Sequence, residues 1–207
     1  MGPGPNSWDR QNVWVDDAGR QHLKIAQRDG RWTCAEVITT DVLHHGSYQF
    51  QTIGRLVQLD RNVVLGLFNY PSPDVGPDTT HEIDIEFARW GQAGAPVGNF
   101  TVWPVKDELK QTTYPFEVRL GGDYTTHRFD WRPNRISFAS LHGHHNDDSS
   151  PIAKWVFDRK PARSYISTEP MRVHLNLWLF QGRPPADGKE IEIVLKEFQH
   201  RPLKPSN

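Results

Sequence analysis

Short runs of β-branched and aromatic residues recur along the whole chain, and each run is bounded by Gly, Pro, Asn or Asp. Such runs predict β-strands, and no segment has the length and period of a convincing helix beyond a helical turn at 55–60. Eleven strands with so little helix indicate an antiparallel β-sandwich rather than an α/β fold. The predicted strands lie at 21–27, 32–39, 46–53, 63–69, 82–88, 98–105, 124–131, 135–140, 153–156, 171–179 and 189–199.

Composition limits the organisation and the partners of the chain. Its 207 residues show no repeat and no linker, which predicts one domain over residues 8–203 with flexible termini at 1–7 and 204–207. The 24 basic and 25 acidic residues nearly balance, which argues against nucleic acid as a partner. No run approaches the roughly 18 apolar residues of a membrane span, and the first residues lack the apolar run of a signal peptide. Cys34 is the only cysteine, so no disulfide forms within the chain.

Aromatic residues are abundant, with ten Phe, eight Trp and five Tyr. Core packing explains most of them, and a stacking surface for a flat, amphipathic ligand is the functional alternative. Sugars and nucleobases both offer such a face, and the near-neutral charge favours sugars. One predicted strand puts a polar set with an aromatic member on one face, which is either a solvated face or a binding face. That set is Arg172, His174, Asn176 and Trp178.

The segment Glu82-Ile83-Asp84-Ile85-Glu86 carries the strongest functional signal in the sequence. With a side-chain period of two, its three carboxylates share one face of a strand and its two isoleucines share the other. An amphipathic strand with its acids in water is the ordinary explanation. However, three like charges on adjacent positions of one face repel one another, which favours a site where their proton affinities are used.

The spacing of these acids suits the cleavage of glycosidic bonds. The α-carbons of Glu82 and Glu86 are about 13 Å apart on an extended strand. Side chains that reach toward each other leave about 5 Å between the carboxyl groups, which is near the separation of a retaining glycosidase. In that reaction one carboxylate attacks the anomeric carbon, and the other protonates the leaving oxygen and later deprotonates water. Asp84 lies between them, where it can hydrogen-bond the nucleophile and help to keep the acid protonated.

At this point the chain resembles glycoside hydrolase family 16, the concanavalin-A-like jelly rolls that include lichenases and laminarinases. The acidic segment, continued by Phe87, is similar to the active-site strand of that family, in the uninterrupted form of lichenases and of plant xyloglucan-active members. Five further segments resemble family motifs in the same order along the chain. They are Cys34-Ala35-Glu36 with Gly46-Ser47-Tyr48-Gln49-Phe50, then Leu67-Phe68-Asn69-Tyr70, then Thr126-His127-Arg128-Phe129-Asp130-Trp131, and then Asn176-Leu177-Trp178.

The resemblance implies a jelly roll with a concave substrate cleft and a role for each acid. Glu82 corresponds to the nucleophile, Asp84 to its helper and Glu86 to the general acid/base. The expected activity is endo-acting, retaining hydrolysis of a β-linked polysaccharide, with β-glucan as the first expectation. Five of the remaining motif positions are implied to bind sugar in the cleft, and so is Trp103, which falls where lichenases have a cleft aromatic. They are Glu36, Phe68, Tyr70, Trp103, Asn176 and Trp178.

The resemblance also places His127 on a cleft-side strand, where core packing with hydrogen bonding explains it as well as a sugar contact does. Two family positions are changed: Ile38 stands where lichenases have Arg, and Thr80 where they have Trp. These changes leave the chemistry in place but remove the basis for assigning a mixed-linkage glucan. The resemblance further implies a secreted or periplasmic monomer that needs no cofactor. It allows a structural calcium ion, which no carboxylate cluster in the sequence places.

Three alternatives to a retaining glycoside hydrolase remain open at this stage. A transglycosylase would use the same acids with a sugar acceptor in place of water. A carbohydrate-binding jelly roll could keep the strand without turnover, although binding alone gains little from crowded carboxylates. A metal-dependent hydrolase could use the histidines and aspartates of 141–148, but the turn-forming residues there favour a polar hairpin loop.

Overall fold

The computed structural model describes residues 3–204. The expected flexible ends at residues 1, 2 and 205–207 lie outside the described residues. Within the described part, the N-terminal segment is hydrogen-bonded to the body of the protein. The Asn6 side-chain amide donates to the carbonyl of Leu179 at 3.0 Å, and the Cys34 amide donates to the carbonyl of Ser7 at 2.7 Å.

The described residues form fourteen strands, numbered in chain order. They are β1 (Val13–Val15), β2 (Gln21–Arg28), β3 (Arg31–Thr33), β4 (Ala35–Ile38), β5 (Gly46–Ile53), β6 (Val63–Tyr70), β7 (Ile83–Ala88), β8 (Gly98–Val102), β9 (Thr112–Phe116), β10 (Tyr124–Arg132), β11 (Arg135–His142), β12 (Pro151–Phe157), β13 (Arg172–Leu179) and β14 (Ile191–Pro202). The helical segments among them are short 3-10 turns, one of which, Leu56–Gln58, falls in the turn predicted at 55–60. No helix in residues 3–204 is long and apolar enough to cross a membrane.

The strands build two antiparallel sheets. The larger sheet has the order β1-β2-β14-β5-β10-β11-β12, with β3 paired to β2, and the smaller has the order β4-β13-β6-β7-β8-β9. Hairpin neighbours such as β6-β7-β8-β9 and β10-β11-β12 alternate with pairings between strands that are distant in sequence, such as β2-β14, β5-β10 and β4-β13. This is typical of a jelly roll, where the chain repeatedly crosses between the sheets. The predicted all-β sandwich is therefore confirmed.

The core lies between the sheets and fixes the orientation of β7. Ile83, Ile85 and Phe87 face inward and are at most 1% exposed. Aromatic contacts span the two sheets, since the ring of Phe100 on β8 stacks on that of Phe138 on β11 at a centroid distance of 4.9 Å. Because side chains alternate along a strand, burial of this apolar set directs the intervening side chains to the outer face of the smaller sheet.

Two strands escape the sequence prediction, and one predicted strand is divided. β1 has only three residues, and β9 is an edge strand that contains Pro115, so neither has a strong strand pattern. The predicted strand 32–39 separates at Cys34 into β3 of the larger sheet and β4 of the smaller sheet. The strand-like pattern of 32–39 runs without a break, so it does not show that the chain crosses from the larger to the smaller sheet at Cys34.

Candidate active site

The three acids of the sequence motif lie together on the outer face of the smaller sheet. Asp84 and Glu86 project from β7, and Glu82 immediately precedes this strand. β7 is paired with β6 on one side and β8 on the other. We use the term candidate site for the side chains on this outer face around β7. Its location among central strands gives the acids a rigid support.

Cross-strand pairing brings Asn176 toward the acids. Gly66 on β6 is paired with both Glu86 and Asn176, so it separates them with no side chain of its own. A Cβ atom at this glycine would lie 2.5 Å from Asn176 Oδ1. That oxygen and Asp84 Oδ1 are buried without a hydrogen-bond partner among the described residues. Unpaired buried acceptors are costly, which points to a polar ligand that supplies the missing donors.

Trp103, which follows β8, forms hydrogen bonds with two of the three acidic residues. Its indole Nε1 donates a hydrogen bond to Asp84 Oδ2 at 2.7 Å. Its backbone amide also donates to the carbonyl of Glu82 at 2.9 Å. The sequence-based hypothesis placed Trp103 in the cleft as a sugar contact, and the structure shows that it holds the central carboxylate in a fixed orientation.

The acids share a desolvated environment that favours protonation. Burial, followed by the charge of Glu86, raises the pKa of Glu82 to about 8, against an opposing backbone hydrogen bond from Thr79. Burial alone raises the pKa of Glu86 to about 7. Burial and the charges of both glutamates raise the pKa of Asp84 well above its usual range, while the Trp103 indole opposes this shift. The site therefore keeps protons at a pH at which an exposed carboxyl is ionised.

The turn before β7 positions Glu82. Thr79 and His81 have φ angles of 71° and 66°, in the left-handed region that residues other than glycine seldom adopt. Thr80 between them is fully buried, and its hydroxyl donates to the carbonyl of Pro77 at 2.7 Å. Strained backbone of this kind persists only where the surroundings enforce it. Thr80, in place of the tryptophan of lichenases, is thus part of the support beneath Glu82.

On the β13 side, a hydrogen-bonded histidine–carboxylate pair lies beside two aromatic rings. His174 Nδ1 is 3.1 Å from Glu36 Oε1 on β4, and both side chains are partly exposed. The imidazole packs against Phe68 and Tyr70 at centroid distances of 5.3 and 5.4 Å. The Tyr70 hydroxyl donates to Asp78 Oδ1 at 2.6 Å. His174 was absent from the predicted site residues, although the alternation of β13 had already put it on the same face as Asn176.

At the Glu86 end of the candidate site, Trp178 joins two aromatic residues that the sequence reasoning missed. Trp90 follows β7, and its ring centroid lies 6.5 Å from that of Trp178. Phe180 follows β13, and its ring lies edge-on to Trp90 at 5.6 Å. No motif flagged either residue, because each comes just after a strand and becomes part of the site only through tertiary structure.

His127 does not lie on the cleft side, so that expectation is wrong. It is fully buried on β10 of the larger sheet, and its ring contacts Phe87 between the sheets at a centroid distance of 4.6 Å. Its two ring nitrogens are hydrogen-bonded to Ser140 Oγ at 3.0 Å and Thr125 Oγ1 at 2.9 Å. Burial, and then the charge of His144, lower its pKa to about 3. His127 is a neutral core residue behind β7, so core packing, the alternative to a sugar contact, describes its place.

The segment 141–148 forms the end of the β11–β12 hairpin and is occupied by internal contacts. His144 Nε2 is bonded to the carbonyl of Thr52 at 3.0 Å. Asp148 is paired with Arg128 and with Lys154. Within residues 3–204, no three His, Cys, Asp or Glu side chains are grouped so that they could hold a metal ion. Neither the metal-dependent alternative nor a structural calcium ion therefore has a fitting set of side-chain ligands in this part of the chain.

Comparison with known structures first identifies a general architecture, a two-sheet jelly roll of the glucanase type. No protein-family model matches the sequence, and no curated protein matches it either. Solved structures of family 16 β-glucanases match its fold at 12–22% identity.

Three of these structures illustrate the similarity. The Bacillus licheniformis β-glucanase is 20% identical, with 96% of this chain and 86% of that chain covered and a TM-score of 0.67. A lichenase from a mouse hindgut metagenome is 22% identical, with 98% and 88% covered and a TM-score of 0.67. The Bacteroides ovatus family 16 endo-glucanase is 12% identical, with 95% and 88% covered and a TM-score of 0.68. The protein thus has the fold of glycoside hydrolase family 16, as its motifs implied.

Proposed function

We propose that this protein is an endo-acting, retaining glycoside hydrolase that cleaves β-linked polysaccharide, with β-glucan as its substrate class. The observation that carries the proposal is the alignment of Glu82, Asp84 and Glu86 on the outer face of β7 with raised pKa values. A merely solvated acidic strand would have its carboxylates in water. Here burial and mutual repulsion make the protons of these groups available for catalysis.

The hydrogen bonds of the site support the proposed roles of the two glutamates. Glu82 accepts a backbone hydrogen bond from Thr79, and Asp84 accepts one from Trp103, so both receive support for the ionised form. Among residues 3–204, Glu86 has no such donor, which supports it as the group that carries the proton, although its pKa of about 7 lies below the value of about 8 for Glu82. The pKa of about 8 for Glu82 includes the charge of ionised Glu86, and that contribution vanishes when Glu86 is protonated.

The reaction then follows in two steps. Glu86 donates its proton to the glycosidic oxygen while Glu82 attacks the anomeric carbon, which gives a covalent glycosyl-enzyme and a free leaving sugar. Glu86, now a carboxylate, removes a proton from water, and the resulting hydroxide displaces Glu82 from the anomeric carbon. Two inversions leave the configuration of the product unchanged. Asp84, held by Trp103, keeps its position beside the nucleophile in both steps.

The surroundings of the acids favour an uncharged glycan. Phe68, Tyr70, Trp178 and the amide of Asn176 offer stacking and hydrogen-bonding groups, while Glu36 adds a further carboxylate. An anionic polymer would be repelled by this set of acids. Of the structural neighbours, one from Bacteroides ovatus holds a mixed-linkage glucan product. Ile38 and Thr80 differ from lichenases, so the linkage preference need not be the same. We further propose that the enzyme acts as a monomer outside the cytoplasm.

The proposal is tested first with activity. Reducing-sugar release is measured on mixed-linkage glucan, laminarin, xyloglucan, agarose and carrageenan, with the first two expected to react. Glu82→Gln should abolish hydrolysis and leave glycan binding measurable. Glu86→Ala should be rescued by azide on an activated aryl glycoside, with a β-glycosyl azide as product. Unchanged turnover in Glu82→Gln would refute the assignment, and binding without turnover by the unmodified protein would identify a carbohydrate-binding jelly roll.

A further inference from the structure

We propose that Trp90 and Phe180 extend Trp178 into a stacking platform for the uncharged sugar on the leaving-group side of the cleaved bond. This inference rests on the proposed function, and it adds two binding residues that no sequence motif indicates. The three rings are all half-buried and contact one another in series, with Trp90 between Trp178 and Phe180.

Core packing does not account for this cluster. Trp178 packs against the main core, but Trp90 and Phe180 are not among the residues that do so in the described part of the chain. Large aromatic side chains that are neither in the core nor fully exposed commonly serve ligand binding, because one face stays available. The cluster reaches the candidate site through Trp178, which lies on the outer face of the smaller sheet in register with Ala88, two residues after Glu86.

The backbone at Trp90 is held in an unfavourable conformation. Its φ angle is 51°, in the left-handed region that a bulky residue rarely adopts, and Gly91 follows with φ 80°. The Gly91 amide donates to the carbonyl of Arg61 at 2.8 Å. The Arg89 guanidinium donates to the carbonyls of Ala95 and Val57 at 2.5 and 3.0 Å. These bonds enforce the turn, and strain of this kind is characteristic of binding and catalytic sites.

The backbone at Phe180, the other end of the platform, is also held by contacts with neighbouring segments. The Phe180 amide donates to the carbonyl of Asn62 at 2.7 Å. Pro5 of the N-terminal segment packs close to Gly182, two residues after Phe180. The backbone that carries both rings is thus held in place by the fold, which lowers the entropy cost of binding.

The register of the sheet shows which sugar the platform contacts. Ala88 follows Glu86 on the same face of β7, about 6.6 Å further along the strand. It is paired with Val64, which is paired with Trp178. The direction from Glu82 to Glu86 runs from the attacked carbon toward the leaving oxygen. A platform one step beyond Glu86 therefore lies under the sugar that carries that oxygen, or under an acceptor sugar in the reverse step.

The test compares two substrates that differ in what fills the leaving-group side. β-Laminaribiosyl fluoride has no sugar there, whereas mixed-linkage glucan does. Trp90→Ala and Phe180→Ala should each lower kcat/KM on the glucan roughly 3- to 10-fold and leave the fluoride unchanged. Trp90→Phe should retain most of the glucan activity, because it keeps an aromatic face. The control is Trp14→Ala, which removes a 38% exposed tryptophan from β1 of the larger sheet and should affect neither substrate.

Two results would overturn the platform: equal losses on both substrates, or no loss on the glucan in either alanine variant. If the unmodified protein turns over neither substrate, the proposed hydrolase function fails. A binding measurement then tests the platform independently of catalysis. Titration of cellotetraose followed by tryptophan fluorescence then applies to the unmodified protein and to Phe180→Ala. Weaker binding in the variant supports the platform, and equal binding refutes it.

Discussion

Substitution of Glu82 by Gln should stabilise the folded protein at alkaline pH while it removes catalysis. The pKa of Glu82 rises from 4.5 in the unfolded chain to about 8 in the folded protein. Below pH 4.5 the carboxyl is protonated in both states and has no effect on the free energy of unfolding. Between pH 4.5 and about 8 the unfolded chain ionises first, so stability falls as the pH rises. Above about pH 8 the carboxyl is ionised in both states, so the decrease in the free energy of unfolding is complete and no longer changes with pH.

The size of the effect follows from the pKa difference. Each pKa unit corresponds to about 1.4 kcal/mol, which gives an upper bound of about 5 kcal/mol. The Glu82 side chain keeps some contact with water, and part of its shift comes from Glu86. We therefore expect Glu82→Gln to be more stable than the unmodified protein by about 2–4 kcal/mol at pH 8.5, and by less than about 0.5 kcal/mol at pH 4. The Gln side chain can still accept the hydrogen bond from Thr79.

Urea unfolding followed by tryptophan fluorescence at both pH values measures this difference. The control is Glu108→Gln, whose side chain is 71% exposed, so its removal should leave the pH dependence unaltered. A stability gain that is the same at pH 4 and pH 8.5 would refute the electrostatic cause. The absence of any gain at pH 8.5 would show that Glu82 is not desolvated in the folded state.

Three further substitutions test individual contacts of the site. Gly66→Ala places a methyl group 2.5 Å from Asn176 Oδ1, so kcat/KM should fall at least tenfold. Measuring Tm of the variant distinguishes this loss of activity from a loss of folded protein. Trp103→Phe removes the donor that lowers the pKa of Asp84; the acidic limb of the kcat/KM profile should move to higher pH, and an unmoved limb would contradict the role of Trp103. His174→Ala should raise KM roughly 3- to 10-fold with little change in kcat, and a large loss of kcat would instead place His174 in the chemistry.

The sequence predicted the fold and the acids for the same physical reason, since both depend on local alternation. Isoleucines and carboxylates at a period of two determine which face of β7 is buried, wherever that strand lies. The same alternation on β13 also put His174 beside Asn176. Its pairing with Glu36 depends on the register between β13 and β4, which no local pattern encodes.

The errors in the predicted site residues arise where the location of a side chain depends on tertiary structure rather than on local sequence. His127 has the polar character of a ligand contact, but it is satisfied by Ser140 and Thr125 in the interior, and only the assignment of β10 to the larger sheet reveals this. Trp90 and Phe180 come after the ends of their strands, where no period applies. Their proximity is a result of how the turns after β7 and β13 meet.

The place of β14 in the larger sheet has a consequence for how the protein forms. This strand lies between β2 and β5 and pairs with residues more than 140 positions earlier in the chain. During synthesis β2 and β5 therefore leave the ribosome long before the strand that joins them, and each waits with an open edge. Folding dominated by such distant pairings is slow, and open edges invite association between chains. The yield of folded protein should accordingly depend on chaperones and on expression temperature more than the stability of the finished sandwich suggests.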